Sequence, residues 1–211
     1  MRILPTFLAV ACVTGLVGAA AAPASASPRP FSPASALPGA SPHSTTSADR
    51  AVGFTAAHGT FTAYAPGAKA VTYQPDLVPA GARASVLGLS AEHLGTRTVL
   101  LISGLLPQHE YGAHAHQNSC GATGDDAGPH FQHVPDPVKP SVDPAYANPQ
   151  NEIWLDFTTD RSGIGHATST VDWAFAAERA KSVVIHETHT HTDPGHAGTA
   201  GGRLACLDVA F

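Results

Sequence analysis

Thirteen histidines are spread through the 211 residues of this chain, and the spacing of four of them suggests a common task. His114 and His116 form an H-x-H at the end of a strand-like approach. Residues two apart on a strand point to the same side, so both imidazoles can meet one ion. His130 follows in Gly128-Pro129-His130, and His186 closes the apolar run Val183-Val184-Ile185. Four imidazoles without a thiolate suit copper, which accepts tetragonal nitrogen ligation and cycles between two oxidation states.

The elements that must position these rings read as short strands. Arg97–Leu105, Ile153–Thr159, Thr168–Phe175, Ser182–His186 and Leu204–Phe211 are strand-like, and in the fourth of these His186 is the last residue. In Val171-Asp172-Trp173-Ala174-Phe175 the large residues fall on one face at period two. Only Ala174–Lys181 hints at a helical period. Short apolar runs separated by Gly, Pro, Asn and Asp predict an antiparallel sandwich or barrel. Gln117–Gln150 is different: it holds six prolines and no periodicity. A loop of that length inside a compact domain is usually functional. Trp154 and Trp173 fit packing in the core or on a sheet face.

The beginning of the chain reads as processing and linker sequence. Arg2, the apolar run Phe7–Val17 and the small-residue site Ala24-Ser25-Ala26 form a secretory signal peptide pattern over residues 1–26. Residues 27–50 are rich in Pro, Ser, Ala and Thr, and are expected to be a disordered tether with a role in cell-envelope association. The folded domain is assigned to residues 51–211. Cleavage after Ala26 would remove Arg2 and move the net charge from −5 to −6. A mildly acidic chain with few lysines is a poor nucleic-acid binder, and no basic amphipathic stretch suggests a membrane surface. Cleavage would also remove Cys12. Cys120 and Cys206 would remain, and an isolated pair in an oxidising compartment is expected to form a disulfide.

Four blocks of sequence, in order, resemble the copper/zinc superoxide dismutases. Ser103-Gly104-Leu105-Leu106-Pro107 leading into Tyr111-Gly112-Ala113-His114-Ala115-His116 is similar to their approach to the copper site. Gly128-Pro129-His130-Phe131 resembles their metal-bridging histidine segment, and Val183-Val184-Ile185-His186-Glu187 the strand with their last copper ligand. Gly202-Arg203-Leu204-Ala205-Cys206 resembles their C-terminal segment, which holds an active-site arginine and a disulfide cysteine. The position of Cys120 resembles the bacterial branch. The resemblance implies an all-β, immunoglobulin-like Greek-key sandwich with long functional loops. It implies an exported enzyme that dismutes superoxide through copper held by His114, His116, His130 and His186. Arg203 would attract and orient superoxide, and the Cys120–Cys206 bridge would pin the long loop to the C-terminal strand. The alternative is a copper-holding or copper-delivering protein of the same fold.

The zinc half of the pattern departs from the family. Gln150 and Ile153 fall near its expected histidine and aspartate, and Thr190 stands where the family has an aspartate linking the two metal sites. This resembles the copper-only branch, so zinc is expected to bind weakly at most, a surviving site drawing on His133, Asp136 or Asp143. His189, His191 and His196 are read as solvated loop histidines in preference to a second metal-capture patch.

Overall fold

The computed structural model describes residues 52–211; the expected signal peptide and tether, with Cys12 and His43, lie outside the described residues. Alternation builds the first sheet. β3 (Arg83–Ala91), β4 (Gly95–Ser103) and β7 (Ile164–Val171) turn every second residue inward, among them Ala84, Val86, Leu100, Ile102, Ala167 and Val171. With β1 (Val52–Thr60) they form an antiparallel sheet in the order β1-β3-β4-β7. The β3–β4 hairpin re-enters at Gly95, whose φ is 78° and where a Cβ would collide with the Val171 carbonyl, so only glycine fits.

The second sheet carries the histidines. It runs β2 (Ala70–Thr72), β9 (Arg203–Asp208), β8 (Ser182–His186), β5 (Glu110–His116), β6 (Phe157–Thr158), again antiparallel. One apolar core lies between the sheets, with Leu100 and Ile102 from the first meeting Tyr111, Ile185 and Leu204 from the second. β5 and β8 differ from the strands of the first sheet in being buried on both faces. Tyr111, Ala113 and Ala115 face the core. Gly112, His114 and His116 face the opposite way, and are buried because the chain after β5 folds back over them. That covering chain is tied by backbone bonds on both sides of its excursion: Gln117 N to Pro129 O, Phe131 N to Ala115 O, Ala115 N to Ile153 O and Leu155 N to Ala113 O.

The expected all-β antiparallel sandwich is therefore present, with local differences. β8 has the expected bounds, whereas β4 and β9 start one or two residues earlier than read and end two or three earlier. No helix forms over 174–181; among the described residues only a 3-10 turn, Gly124–Ala127, is helical. Trp173 and Phe175 are both buried, with Phe175 packed on Phe131 and Phe211, so the alternation continues in extended chain past the end of β7 at Val171. A helix would carry one of the two out of the core. The stretch from Ile153 is extended, but only Phe157–Thr158 pairs as a regular strand.

Cys120 and Cys206 form the expected disulfide, 86 positions apart in sequence. It joins the start of the covering loop to β9, and Asp208 Oδ1 reinforces the join by accepting from Cys120 N at 2.7 Å. Closing a loop of that length stabilises the native state by about 4–5 kcal/mol in the chain-entropy model. Urea unfolding of the reduced, alkylated protein is expected to show a loss of this order against the oxidised form; equal midpoints would show that the bridge carries no such constraint.

Candidate metal centre

Two strands and one loop bring His114, His116, His130 and His186 together. β5 supplies the first two on one face, and β8 supplies His186 opposite Gly112. Gly112 is required there: a Cβ would lie 2.5 Å from the Thr188 carbonyl oxygen and 2.8 Å from Ala200 Cβ. His130 arrives from the covering loop and bridges to His116. One nitrogen from each ring lies within 4.8 Å of the others, and among the described residues this is the group of His, Cys, Asp and Glu whose ligand atoms already converge that closely, as a bound metal ion requires.

The second nitrogen of three rings is engaged, which fixes the first. His116 Nδ1 donates to the Gly128 carbonyl at 2.9 Å, leaving Nε2 as the free lone pair. His130 Nδ1 donates to Glu152 Oε2 at 2.7 Å, again leaving Nε2. His114 is turned the other way: Nε2 donates to Thr190 Oγ1 at 2.6 Å, and the Thr190 hydroxyl donates onward to Asp156 Oδ1 at 2.8 Å. Its Nδ1 is left buried without a partner. His186 Nε2 comes within 3.3 Å of His116 Nε2, so two ring nitrogens converge on one point. A buried nitrogen without a partner is costly unless something binds it. A donor set of imidazoles alone matches copper or zinc.

Burial first, and then the other histidines, hold these rings neutral. Desolvation pushes His114 and His116 well below the usual histidine value, and takes His186 down to about 3. Neutral imidazole is the metal-binding form.

Glu152, Asp156 and Thr190 complete the site. Glu152 is buried and accepts three bonds: from His130, from Trp154 Nε1 at 2.6 Å and from Gln132 Nε2 at 2.8 Å. Asp156 accepts from Thr190 N at 2.7 Å and from Ala113 N at 3.1 Å as well as from the Thr190 hydroxyl. The sequence reading passed over both carboxylates and took Trp154 for packing alone. The signal was the alternation in Glu152-Ile153-Trp154-Leu155-Asp156-Phe157. Ile153, Leu155 and Phe157 enter the core, so Glu152, Trp154 and Asp156 share the face toward the histidines.

The residues weighed for zinc are used elsewhere. His133 stacks on Trp173, with ring centroids 4.9 Å apart. Asp136 accepts from Val138 N and Ser141 Oγ, and Asp143 from Ala145 N. His189 turns away to the Phe157 carbonyl at 3.1 Å.

Arg203 stands beside this group. Its Nη1 donates to the Gly124 carbonyl at 2.9 Å, Nε lies 3.9 Å from Asp125, and its side chain is one-quarter exposed. It also lines a cavity of about 370 Å³ with His130, Glu152, Ser141 and Lys139. Lys139 is a second cation at that cavity that the sequence reading did not single out.

No protein-family model matches this sequence, and no curated protein matches it. Among solved structures, the Cu/Zn superoxide dismutase from Brucella abortus aligns with 76% of this chain and 100% of its own, at 18% identity and a TM-score of 0.50. The sandwich is therefore the Cu/Zn superoxide dismutase fold. Two mutant forms of an SOD-like protein from Bacillus subtilis align at 16% identity with TM-scores of 0.41 and 0.46, over 57% and 59% of this chain and 87% and 88% of theirs.

Two outcomes are expected from this geometry. Glu152→Ala leaves Trp154 Nε1 and His130 Nδ1 without their acceptor, while Gln132 Nε2 keeps Ser141 Oγ at 2.9 Å, and should cost about 2–6 kcal/mol in unfolding at about 1–3 kcal/mol per stranded buried donor. An unchanged urea midpoint would show that the network is dispensable. In the metal-free protein, the unfolded state gains protons below about pH 6.5, where native His114, His116 and His186 do not. Stability should therefore be whole above that pH and fall steadily toward pH 3, where His186 itself titrates. A flat urea midpoint between pH 7 and 4.5 would contradict it.

Proposed function

We propose that this chain is an exported superoxide dismutase that works with a single histidine-held copper ion. The observation that carries this reading is the convergence of four buried or half-buried imidazoles with His114 Nδ1 left unpartnered among them. His114, His116, His130 and His186 would hold the copper, which when bound supplies one-electron chemistry in both directions. The net reaction takes two superoxide anions and two protons to dioxygen and hydrogen peroxide.

The side chains around that ion supply protons and charge. Because Glu152 holds His130 Nδ1–H, the nitrogen at which His130 takes up or releases a proton is Nε2, on the side of the other histidines. The Glu152 carboxylate balances the imidazolium so formed, and His130 can pass that proton to reduced dioxygen. Arg203 and Lys139 supply positive charge at the cavity of a chain whose net charge is −5. Superoxide is a small anion, so a local positive field is needed to offset the average repulsion. The Cys120–Cys206 bridge supports an oxidising, extracytoplasmic setting, as the signal-peptide pattern does; residues 27–50 would tether the domain at the envelope.

A second reading, a copper carrier of the same fold with little turnover, is favoured by one observation. The bond from Arg203 to the Gly124 carbonyl is what an arginine used only to tie β9 to the covering loop would make. Pulse radiolysis of the copper-loaded protein separates the two. Arg203→Ala is expected to keep copper, measured by metal analysis, and to lower turnover about tenfold or more at low salt, within the range of focusing effects. Arg203→Lys should recover part of the loss, because it restores charge without the planar fork. An unchanged rate and salt slope in Arg203→Ala would remove the steering role, and absence of turnover in the unaltered protein would leave the carrier.

A further inference from the structure

The chain between β8 and β9 carries a second arrangement of metal-binding side chains, outside the four-histidine centre. Asp193 sits between two imidazoles: Oδ2 lies 3.0 Å from His196 Nδ1 and Oδ1 lies 3.8 Å from His191 Nδ1. Each carboxylate oxygen thus faces one ring nitrogen. The spacing is set by backbone. His196 N donates to Asp193 O across a turn with Pro194 second and Gly195 third, the latter at φ 84°, the pattern of a type II turn. His191 N to Thr199 O at 2.8 Å and Gly198 N to His191 O at 2.9 Å close the hairpin, and Gly195 N to Val142 O at 3.1 Å ties its tip to the covering loop. The three side chains are 57%, 60% and 69% exposed for His191, Asp193 and His196, so they can rotate inward on an ion without repacking the loop. Gly198, two residues beyond His196, lines the cavity that contains His130 and Arg203.

We infer that His191, Asp193 and His196 form a second metal site at the rim of that cavity, for a borderline divalent cation, Zn²⁺ or Cu²⁺. Two imidazole nitrogens and one carboxylate oxygen make a three-ligand set that water completes. Nitrogen donors in the majority select zinc and copper over calcium and magnesium, which want oxygen. Histidine abundance does not by itself place a ligand on this rim. His189, in the same His189-Thr190-His191 run, has turned away to the Phe157 carbonyl and takes no part. The sequence offered His189, His191 and His196 as the patch; the geometry replaces His189 with Asp193. The site stands whether or not the four-histidine centre turns over superoxide.

The test is calorimetric titration of the full-length, copper-loaded protein with Zn²⁺, then with Cu²⁺. One further equivalent of each is expected at micromolar affinity. Asp193→Asn and His196→Ala should each weaken it tenfold or more, while His189→Ala leaves it unchanged, and retention of the first copper in every variant reports an intact fold. Absence of a further equivalent, equal binding in Asp193→Asn and His196→Ala, or loss in His189→Ala would overturn the assignment. Failure of the four-histidine centre would appear separately, as protein that cannot be loaded. The same titration on the His116→Ala, His186→Ala double variant then reads the rim site alone.

Discussion

An imidazole has two nitrogens, and a ring held in a metal site must be told which one to offer. That choice organises this structure. On three of the four rings the nitrogen facing away from the centre is engaged: by a carbonyl for His116, by a threonine hydroxyl backed by Asp156 for His114, and by the Glu152 carboxylate for His130. Each partner fixes a tautomer and a ring plane before any ion arrives. The partners come from different parts of the chain: the covering loop, its return segment and the long β8–β9 connection. The centre therefore exists only when all three are docked on the outer face of the second sheet.

That requirement explains why β5 and β8 are buried on both sides, whereas β3, β4 and β7 of the first sheet bury one face by simple alternation. An open sheet face would leave His114 and His116 solvated, with ordinary basicity and free rotamers. Covering the face makes the rings neutral and still, but the cover is long and rich in proline, with little apolar packing of its own. It is held by a few backbone bonds to β5, by the Cys120–Cys206 bridge to β9, and by Arg203 reaching the Gly124 carbonyl. The disulfide and the arginine thus belong to the architecture of the site as well as to its surroundings.

Much of this was legible in the residues. The period-two placement of His114 and His116, the bounds of β8 and the pairing of the cysteines could be read because each depends on local spacing or on counting. The supporting carboxylates were missed because their role depends on which side of an irregular extended segment faces the histidines. That segment meets β5 in one isolated bridge, His114 to Trp154, and makes only a two-residue strand. The hint of a helical period over 174–181 came to nothing for a related reason: Trp173 and Phe175 keep strand alternation after the hydrogen-bonded ladder has ended. β1, β2 and β3 were not picked out individually, since small residues such as Ala, Gly and Ser carry little periodic contrast.

Glu152 has a consequence for how the centre is assembled. In the two-metal pattern that the sequence resembles, the far nitrogen of the bridging histidine is held by an ion, which must be captured from solution and can be lost again by dilution or to a chelator. In this chain a side chain occupies that place, delivered in fixed stoichiometry with the polypeptide and retained for as long as the fold lasts. The orientation of His130 is then settled at the moment of folding, whatever the metal content of the surroundings.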